Sequence, residues 1–428
     1  MGFTVARPPH AEFMRVWEEG YVGTRAMFEA MHMQGVGVFS GGRLRRADGS
    51  LDRDRIREWV ESATRGIPYA HLRLMRSPLG LTPPAWVPDD TFDLDRHLRF
   101  ADDPATLTSA SIPRLVGWDA GPLDLRHPLW RLQFTALDDG RVALGVLMHH
   151  SGGDALRTLK FLAALTTSDP AAQPTPDEDP FAGERAPRRG GELPFLAMRG
   201  WAASGTSPRA LWRDYWRRPF VRRSRRMIGR VLRPLRDSRA HRLSSTPARH
   251  TGFRTLPGEA VQAAAAAAGG TMNDMVVAAA IRAASADGAM VRVRVPVLRR
   301  RTEESRNRVT DVPVVGTSAQ HVPELVASVR TQLRAEDDAP EAYAGPVREV
   351  GYVTLVPWLS RARHLCGSRL DDMIVLPAGL PTDELSTFAL LYDSKLSVVA
   401  TARRSVDLDA VMDRLAEELT RSSVDSRE

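Results

Sequence analysis

Cysteine and lysine are nearly absent from this sequence of 428 residues. Cys366 is the only cysteine, and two of the 59 basic residues, Lys160 and Lys395, are lysines, so arginine supplies the other 57. A single cysteine excludes an intramolecular disulfide and a metal cluster built from cysteines. The preference for arginine runs through the whole chain, which indicates genomic composition more than a nucleic-acid interface.

Long apolar runs are also missing. No run approaches the ~18 residues that a membrane-spanning helix needs, and the first residues lack the basic region, apolar stretch and cleavage site of a secretory signal. With 43% hydrophobic residues, the chain can nonetheless bury a large core, and its length favours two domains. We expect a cytoplasmic protein, with peripheral membrane contact left open.

The net charge of +7 comes from one segment. Between Arg209 and Arg242, thirteen arginines stand against two aspartates, and apolar side chains recur among them at helical spacing. This basic segment fits two structures equally well: a surface that contacts an anionic membrane, and a helix between subdomains whose arginines are solvated. No recognition motif accompanies the charge, so we do not expect nucleic-acid binding.

The chain is organised around residues 141–165, in which an apolar strand leads into two histidines and then a helix. Both faces of the strand are apolar, as in a buried strand. His149 and His150 follow, and Gly153 closes a short turn. Asp154 occupies the N-cap position of a helix whose leucines recur at helical spacing. The turn therefore places both histidines at the edge of a core.

His150 is the candidate general base. Histidine has an unperturbed pKa of about 6.5, which allows it to take and return a proton near neutral pH. A base in this position contributes roughly 10² to 10⁴ in rate and could deprotonate an alcohol or amine for attack on an activated carbonyl. No GxSxG serine motif is present and Cys366 has only His364 nearby, so we expect direct transfer without a covalent intermediate.

The motif alone leaves structural alternatives open. Two adjacent histidines more often form a hydrogen-bonded structural pair than a catalytic centre, and an aspartate such as Asp154 is more often just a helix cap. His149, His150 and Asp154 do not resemble a usual set of zinc ligands, so we expect no metal site.

Neighbouring segments alternate strands with helices, which predicts an α/β layered fold. A hairpin places Trp130 opposite Met148 and brings the sequence PLW, residues 128–130, beside the histidines. Closer to the N-terminus, the pattern predicts a helix around residues 12–31 and a strand over residues 92–100.

The second half of the chain starts again with helices and strands. Asn273 and Asp274 open one helix there. We predict an N-terminal subdomain at residues 1–170, a Pro-rich linker with the basic segment at 171–250, and a C-terminal subdomain at 251–428.

The sequence resembles the bacterial wax ester synthase/diacylglycerol acyltransferase family. Residues 149–154 match the HHxxxD core of the HHxxxDG motif, which that family shares with chloramphenicol acetyltransferase and nonribosomal peptide condensation domains. The family also has a PLW element one hairpin upstream, matched by residues 128–130, and an Asn-Asp pair that opens a helix, matched by residues 273–274. Residues 307–308 look like its Asn-Arg element. The similarity covers about residues 15–425.

The resemblance implies two chloramphenicol-acetyltransferase-like subdomains, with mixed sheets and flanking helices, around a central cleft. An acyl thioester and an alcohol would enter from opposite faces and meet at His150, the general base of an O-acyl transfer. His149 and Asp154 would be structural members of the motif. Other motif residues would support the substrate site: Gly153, Trp130, Asn273 and Asp274.

The implied acyl donor is acyl-CoA, a co-substrate, with no bound cofactor. The basic segment could attract its phosphates. A carrier-protein thioester, as in condensation domains that form esters or amides, is the alternative donor. A non-catalytic relative that binds a thioester or a partner protein is the other alternative.

Three features depart from the family pattern. Ala155 replaces the final glycine of the motif, and its added methyl could narrow the path of the thioester. Residues 151–153 are smaller than is common in the family, which could open room beside the base for an unusual acceptor. Arg25 replaces the aspartate of an SPxDAMFL element, which is reduced here to residues 23–28. We interpret these changes as a sign of acylation in specialised metabolism.

Overall fold

The computed structural model describes residues 9–15, 18–153, 155–174, 178–182, 184–203, 249–298, 309–335, 346–358, 361–380 and 382–421. Its strands are β1 (Glu12–Phe13), β2 (His32–Phe39), β3 (Leu72–Met75), β4 (Ala85–Pro88), β5 (Leu98–Phe100), β6 (Trp130–Ala136), β7 (Val142–His149), β8 (Arg249–Pro257), β9 (Val291–Leu298), β10 (Val309–Gly316), β11 (Arg348–Pro357), β12 (His364–Leu365), β13 (Ser368–Leu376), β14 (Leu385–Tyr392) and β15 (Lys395–Arg403). Its α-helices are α1 (Arg25–Ala30), α2 (Arg53–Thr64), α3 (Ile112–Leu115), α4 (Ala155–Ala164), α5 (Leu193–Ala203), α6 (Gly258–Ala267), α7 (Met272–Ala284), α8 (Val322–Arg334) and α9 (Leu408–Thr420).

Six strands form the N-terminal sheet, in the order β12-β13-β2-β7-β6-β5. Its β6-β7 hairpin places Trp130 opposite Met148, the register predicted from the sequence. All residues of β7 are buried, because the strand lies inside the sheet and is covered on both faces. This buried strand carries the chain directly to His149.

Six other strands form the C-terminal sheet, in the order β10-β9-β11-β14-β15-β8. The pairs on either side of β11 are parallel, and the remaining pairs are antiparallel. Helix α7 packs against this sheet through an almost wholly buried surface. The α/β class with two mixed sheets and flanking helices, predicted from the sequence, is confirmed.

One segment of the second half belongs to the N-terminal sheet. Strand β13 pairs with β2 from Leu370 opposite Phe39 to Leu376 opposite Gln34. The same core contains side chains from both sheets, including Phe388 of the C-terminal sheet. The predicted division into residues 1–170, 171–250 and 251–428 stays a prediction, and β13 is a strand that crosses it.

Two local predictions were wrong. The helix expected around residues 12–31 is divided into a short strand, a 3₁₀ turn at Glu18–Val22 and helix α1. Thr24 starts α1 afresh, because its side chain accepts a hydrogen bond from the Met27 amide. Of the strand expected over residues 92–100, the structure keeps β5, and Asp93 caps a 3₁₀ turn before it.

Within the described residues, no single helix is long and apolar enough to cross a membrane. Helices α6 and α7 would pass such a test together by length and composition, but the chain bends by 87° between them. Most of α7 is buried in the core of the C-terminal half.

Candidate active site

Backbone hydrogen bonds to two different segments hold the histidine turn. The His149 amide donates to the Leu129 carbonyl, in the PLW element, at 3.0 Å. The His150 amide donates to the Met31 carbonyl, at the end of α1, at 2.9 Å. From His150 to Gly152 the chain makes a 3₁₀ turn that leads into α4. The turn therefore connects three segments that are distant in the sequence.

The His149 side chain is fully buried and bonded at both ring nitrogens. Its Nδ1 lies 2.6 Å from Ser151 Oγ and accepts from the Ser151 amide at 3.2 Å. Its Nε2 lies 3.1 Å from the Phe28 carbonyl oxygen, which assigns the proton to Nε2. Burial lowers the pKa of His149 well below its usual value. His149 is thus a neutral structural residue that fixes the turn.

A second buried histidine, His32, supports the same carbonyl. Its Nδ1 donates to the Phe28 carbonyl at 2.8 Å, and its Nε2 accepts from the Leu123 amide at 3.1 Å. Burial lowers the pKa of His32 to about 4. The Phe28 ring also stacks on His149, with centroids 4.3 Å apart. No local pattern in the sequence identifies His32, although its partner Phe28 lies three residues after Arg25.

His150 is half-buried, and its ring faces a cavity. The Tyr21 ring lies beside it, with centroids 5.3 Å apart. The cavity is narrow, about 40 Å³, and runs between the two sheets; we call it the apolar channel. Its walls are mostly aliphatic and aromatic, and residues of both halves of the chain form them: Met33, Gln34, Gly35, Val146, His150, Thr158, Leu159, Leu162, Tyr352, Met373, Val375, Leu376, Ala378 and Phe388.

A wider pocket of about 530 Å³ opens on the other side of α4. The exposed residues Arg157 and Lys160 bring positive charge to its wall, and Glu12 brings one carboxylate. Gly152 and Gly153 of the histidine turn form another part. Met33 and Thr158 line both the wide pocket and the apolar channel. The two cavities therefore adjoin at these side chains, next to the turn that carries His150.

Tyr69 packs directly on the histidine turn. Its hydroxyl donates to the Leu129 carbonyl at 2.8 Å and lies 3.3 Å from the His149 carbonyl oxygen. A Cβ atom on Gly152 would lie 1.6 Å from Cε2 of Tyr69, so this position accepts no side chain. Tyr69 is eighty residues away from the histidines in the sequence, and no local pattern identifies it.

The structure places the other predicted site residues in different surroundings. Gly153 lines the wide pocket. Trp130 is fully buried, where its indole donates to the Ala70 carbonyl at 3.0 Å and stacks on His97, with centroids 4.5 Å apart. Asp154 lies outside the described residues, and so do the basic segment and residues 307–308.

Asn273 and Asp274 begin α7, as predicted. Asp274 forms a capping box with Thr271 and an ion pair with Arg330 at 3.1 Å. Among the described residues that line the two cavities, neither Asn273 nor Asp274 occurs. Their support of the substrate site stays a prediction.

Arg25, one of the three departures from the family pattern, lies at the surface. Its Nε pairs with Glu29 Oε1 at 2.6 Å, one helical turn further on. Phe28 and Met31 contact the site through their carbonyls and through the Phe28 ring. Arg25 is not among the residues whose described contacts hold the histidine turn.

Solved structures with the same fold span almost the whole chain. Wax ester synthase/diacylglycerol acyltransferase from Marinobacter aquaeolei aligns with a TM-score of 0.58 and 16% identity, over 95% of this chain and 98% of that one. Polyketide synthase associated protein 5 from Mycobacterium tuberculosis aligns with a TM-score of 0.57 and 14% identity, over 96% and 99%. The first condensation domain of the calcium-dependent antibiotic synthetase gives 0.57 and 17%, over 96% of each chain. At these identities the similarity establishes the fold.

Sequence relatives come from Mycobacterium tuberculosis. A protein named as a candidate diacylglycerol O-acyltransferase is 38% identical over 151 residues, which cover 35% of this chain and 30% of the relative. A second, also named as a diacylglycerol O-acyltransferase, is 30% identical over 148 residues, 34% of this chain and 54% of the relative. The chain thus spans between about a third and a half of the length of these relatives.

The wax ester synthase/diacylglycerol acyltransferase catalytic domain matches residues 24–276. This match includes the PLW element, the histidine turn and the start of α7, and it covers more than half of the sequence. The chain belongs to the wax ester synthase/diacylglycerol acyltransferase family.

Proposed function

We propose that this chain transfers an acyl group from acyl-CoA to an alcohol, with His150 as general base. The observation that carries the proposal is the contrast between the two motif histidines. His149 is locked neutral beneath the turn by Ser151 and Phe28, whereas His150 faces the apolar channel near its junction with the wide pocket.

The reaction is a direct transfer. His150 takes the proton of the acceptor hydroxyl while the acceptor oxygen attacks the thioester carbon. This attack forms the C–O bond and a tetrahedral oxyanion. The oxyanion then collapses, the C–S bond breaks, and the protonated His150 returns the proton to the leaving thiolate. Cys366 fits no covalent route, because it is buried and desolvation raises the pKa of its thiol to about 12.

The two cavities suit two different substrate parts. The wide pocket carries Arg157 and Lys160, which would attract the phosphates of CoA. The apolar channel, with walls such as Leu159, Leu162 and Phe388, has the apolar lining that one part of an alkyl chain would contact. The small residues at positions 151–153 do not open free space here, because Tyr69 lies against Gly152 and Arg157 against Gly153. A role in specialised metabolism is therefore proposed from the departures from the family pattern in the sequence.

We also propose that the basic segment, between Arg209 and Arg242, attaches the protein to an anionic membrane. Each basic residue near such a surface contributes about 1 kcal/mol, and the attraction weakens with salt. Binding to vesicles that contain phosphatidylserine should fall as salt rises. Vesicle binding that does not change with salt concentration would contradict this part of the proposal.

The decisive experiment compares wild type with His150→Ala on a panel of acyl-CoAs. Long-chain alcohols and diacylglycerol serve as acceptors, free thiol is measured, and mass spectrometry identifies the ester. His321→Ala is the matched control, because this histidine is exposed at the start of α8. We expect ester from wild type and the control, with a rate at least 10²-fold lower for His150→Ala.

Equal rates for wild type and His150→Ala would contradict the role of His150. A folded wild type that forms no ester with any acyl-CoA would contradict the CoA donor and direct attention to a carrier-protein thioester or a binding function. A second panel adds polyols and aromatic alcohols as acceptors. Faster acylation of these than of diacylglycerol by wild type would support the specialised acceptor, and the reverse order would contradict it.

A further inference from the structure

The apolar channel contains few polar side chains. Besides His150, its walls include Gln34 on β2, Thr158 on α4 and Tyr352 on β11. An acyl transfer in this channel needs a hydrogen-bond donor for the oxyanion, because negative charge develops on the carbonyl oxygen away from water. One of these side chains is therefore the candidate donor.

Thr158 is in the most suitable place. It lines both the apolar channel and the wide pocket, whereas Gln34 and Tyr352 line the channel. In the proposed reaction, the CoA part of the thioester lies in the wide pocket and His150 lies in the apolar channel. The thioester carbonyl must therefore lie where the two cavities meet. Met33 also lines both cavities, but its thioether offers no donor.

The hydroxyl of Thr158 is positioned at this junction by its neighbours. Its Oγ1 donates to the sulfur of Met33 at 3.4 Å, and thioether sulfur is a weak acceptor. Helical backbone restricts the χ1 angle of threonine mainly to two values, so the hydroxyl has few orientations.

We propose that the Thr158 hydroxyl stabilises the tetrahedral oxyanion by a hydrogen bond. The inference rests on the proposed acyl transfer. As the acceptor oxygen attacks and His150 takes its proton, the carbonyl oxygen becomes negative and the Thr158 hydroxyl donates to it in place of Met33. When the C–S bond breaks, the carbonyl re-forms and the hydroxyl returns to the thioether.

Two substitutions at position 158 separate the hydroxyl from the shape of the side chain. Thr158→Val keeps the volume and the branch but removes the donor, whereas Thr158→Ser keeps the donor. With the acyl-CoA and alcohol that wild type uses fastest, we expect Thr158→Val to lower kcat about 10²-fold, with KM changed less than about threefold. Thr158→Ser should retain kcat within about fivefold.

Thr331→Val is the matched control, because it makes the same substitution at an exposed threonine of α8 that lines neither cavity. We expect it to change kcat less than about twofold. Tyr352→Phe tests the other hydroxyl of the channel: a 10²-fold loss there, with Thr158→Val active, would assign the donor to Tyr352 instead. Thermal unfolding of each variant shows that it is folded.

The outcomes distinguish this inference from the proposed function. If wild type makes ester and Thr158→Val matches it, the assignment to Thr158 is overturned while the acyl transfer stands. If Thr158→Val and Thr158→Ser lose activity and thermal stability together, Thr158 has a packing role and the assignment is also overturned. A wild type with no acyl transfer overturns both.

Discussion

The histidine turn and the start of α7 are built in opposite ways. The turn depends on distant segments. The Leu129 and Met31 carbonyls accept hydrogen bonds from its backbone amides, and the Tyr69 ring packs on it. The start of α7 is mainly local, because Thr271 and Asp274 cap each other three residues apart. Residues of both regions belong to motifs of one family. Residues of the turn line the two cavities, whereas Asn273 and Asp274 are not among the described residues that line them. The contacts therefore predict a structural role for the start of α7 and a chemical role for the turn.

The largest expected effect comes from adding one carbon to the turn. Gly152→Ala would place a Cβ atom inside the Tyr69 ring, so the turn must move and His150 with it. We expect kcat to fall at least 10²-fold, since a shift of about 1 Å at reacting groups costs that much. The ester assay measures this fall in kcat. Gly20→Ala is the control, because a Cβ atom on Gly20 would meet nothing within 4 Å.

A double variant tests the cause of that loss. Tyr69→Ala in the Gly152→Ala protein removes the ring that the new carbon would meet. Partial recovery of activity relative to Gly152→Ala alone would show that the clash is responsible. A Gly152→Ala protein as active as wild type would contradict the rigid turn.

Acid should weaken the support beneath the turn. Burial holds the pKa of His32 at about 4, whereas an unfolded histidine has about 6.5. Between these values the unfolded state binds more protons, so stability falls as pH drops from 6.5 towards 4, by up to about 1.4 kcal/mol per pH unit for this residue. His149 acts in the same direction.

Urea unfolding measured at several pH values checks the contribution of His32. In His32→Gln the slope of unfolding free energy against pH should become shallower in this window. The exposed His321→Ala should leave the slope unchanged. An equal slope in wild type and His32→Gln would contradict the assignment of the low pKa to His32.

The smallest effect is expected at the start of α7. Asp274→Ala removes half of the capping box and the ion pair with Arg330. We expect a loss of about 1 to 2 kcal/mol in unfolding free energy, with kcat of the folded protein unchanged. A large fall in kcat without loss of stability would restore Asp274 to the substrate site and weaken the contrast between the two regions.

Local patterns in the sequence predicted a large part of this structure. The register of Trp130 opposite Met148 and the helix opened by Asn273 and Asp274 follow from hairpin length and capping residues, which act over a few positions. The helix expected around residues 12–31 failed, because hydrogen bonds within and beyond the segment divide it at Thr24. The histidines were also identified from a local pattern, the HHxxxD motif, whose residues lie within six positions.

Contacts between distant segments were not predictable from the sequence. Tyr69 and Thr158 reach the site through packing of the turn against other elements, and neither position has a distinctive local pattern. The pairing of β13 with β2 was also missed, since strand partners separated by hundreds of residues leave no trace in a single sequence.

This late pairing of β13 has a consequence for biosynthesis. Until residue 376 has been made, one edge of β2 has no partner, although the histidine turn was translated long before. At usual rates of about 5 to 20 residues per second, the nascent N-terminal sheet waits with an open edge for roughly 10 to 45 s. An exposed strand edge is a template for aggregation. We therefore expect chains truncated before β13 to accumulate in inclusion bodies.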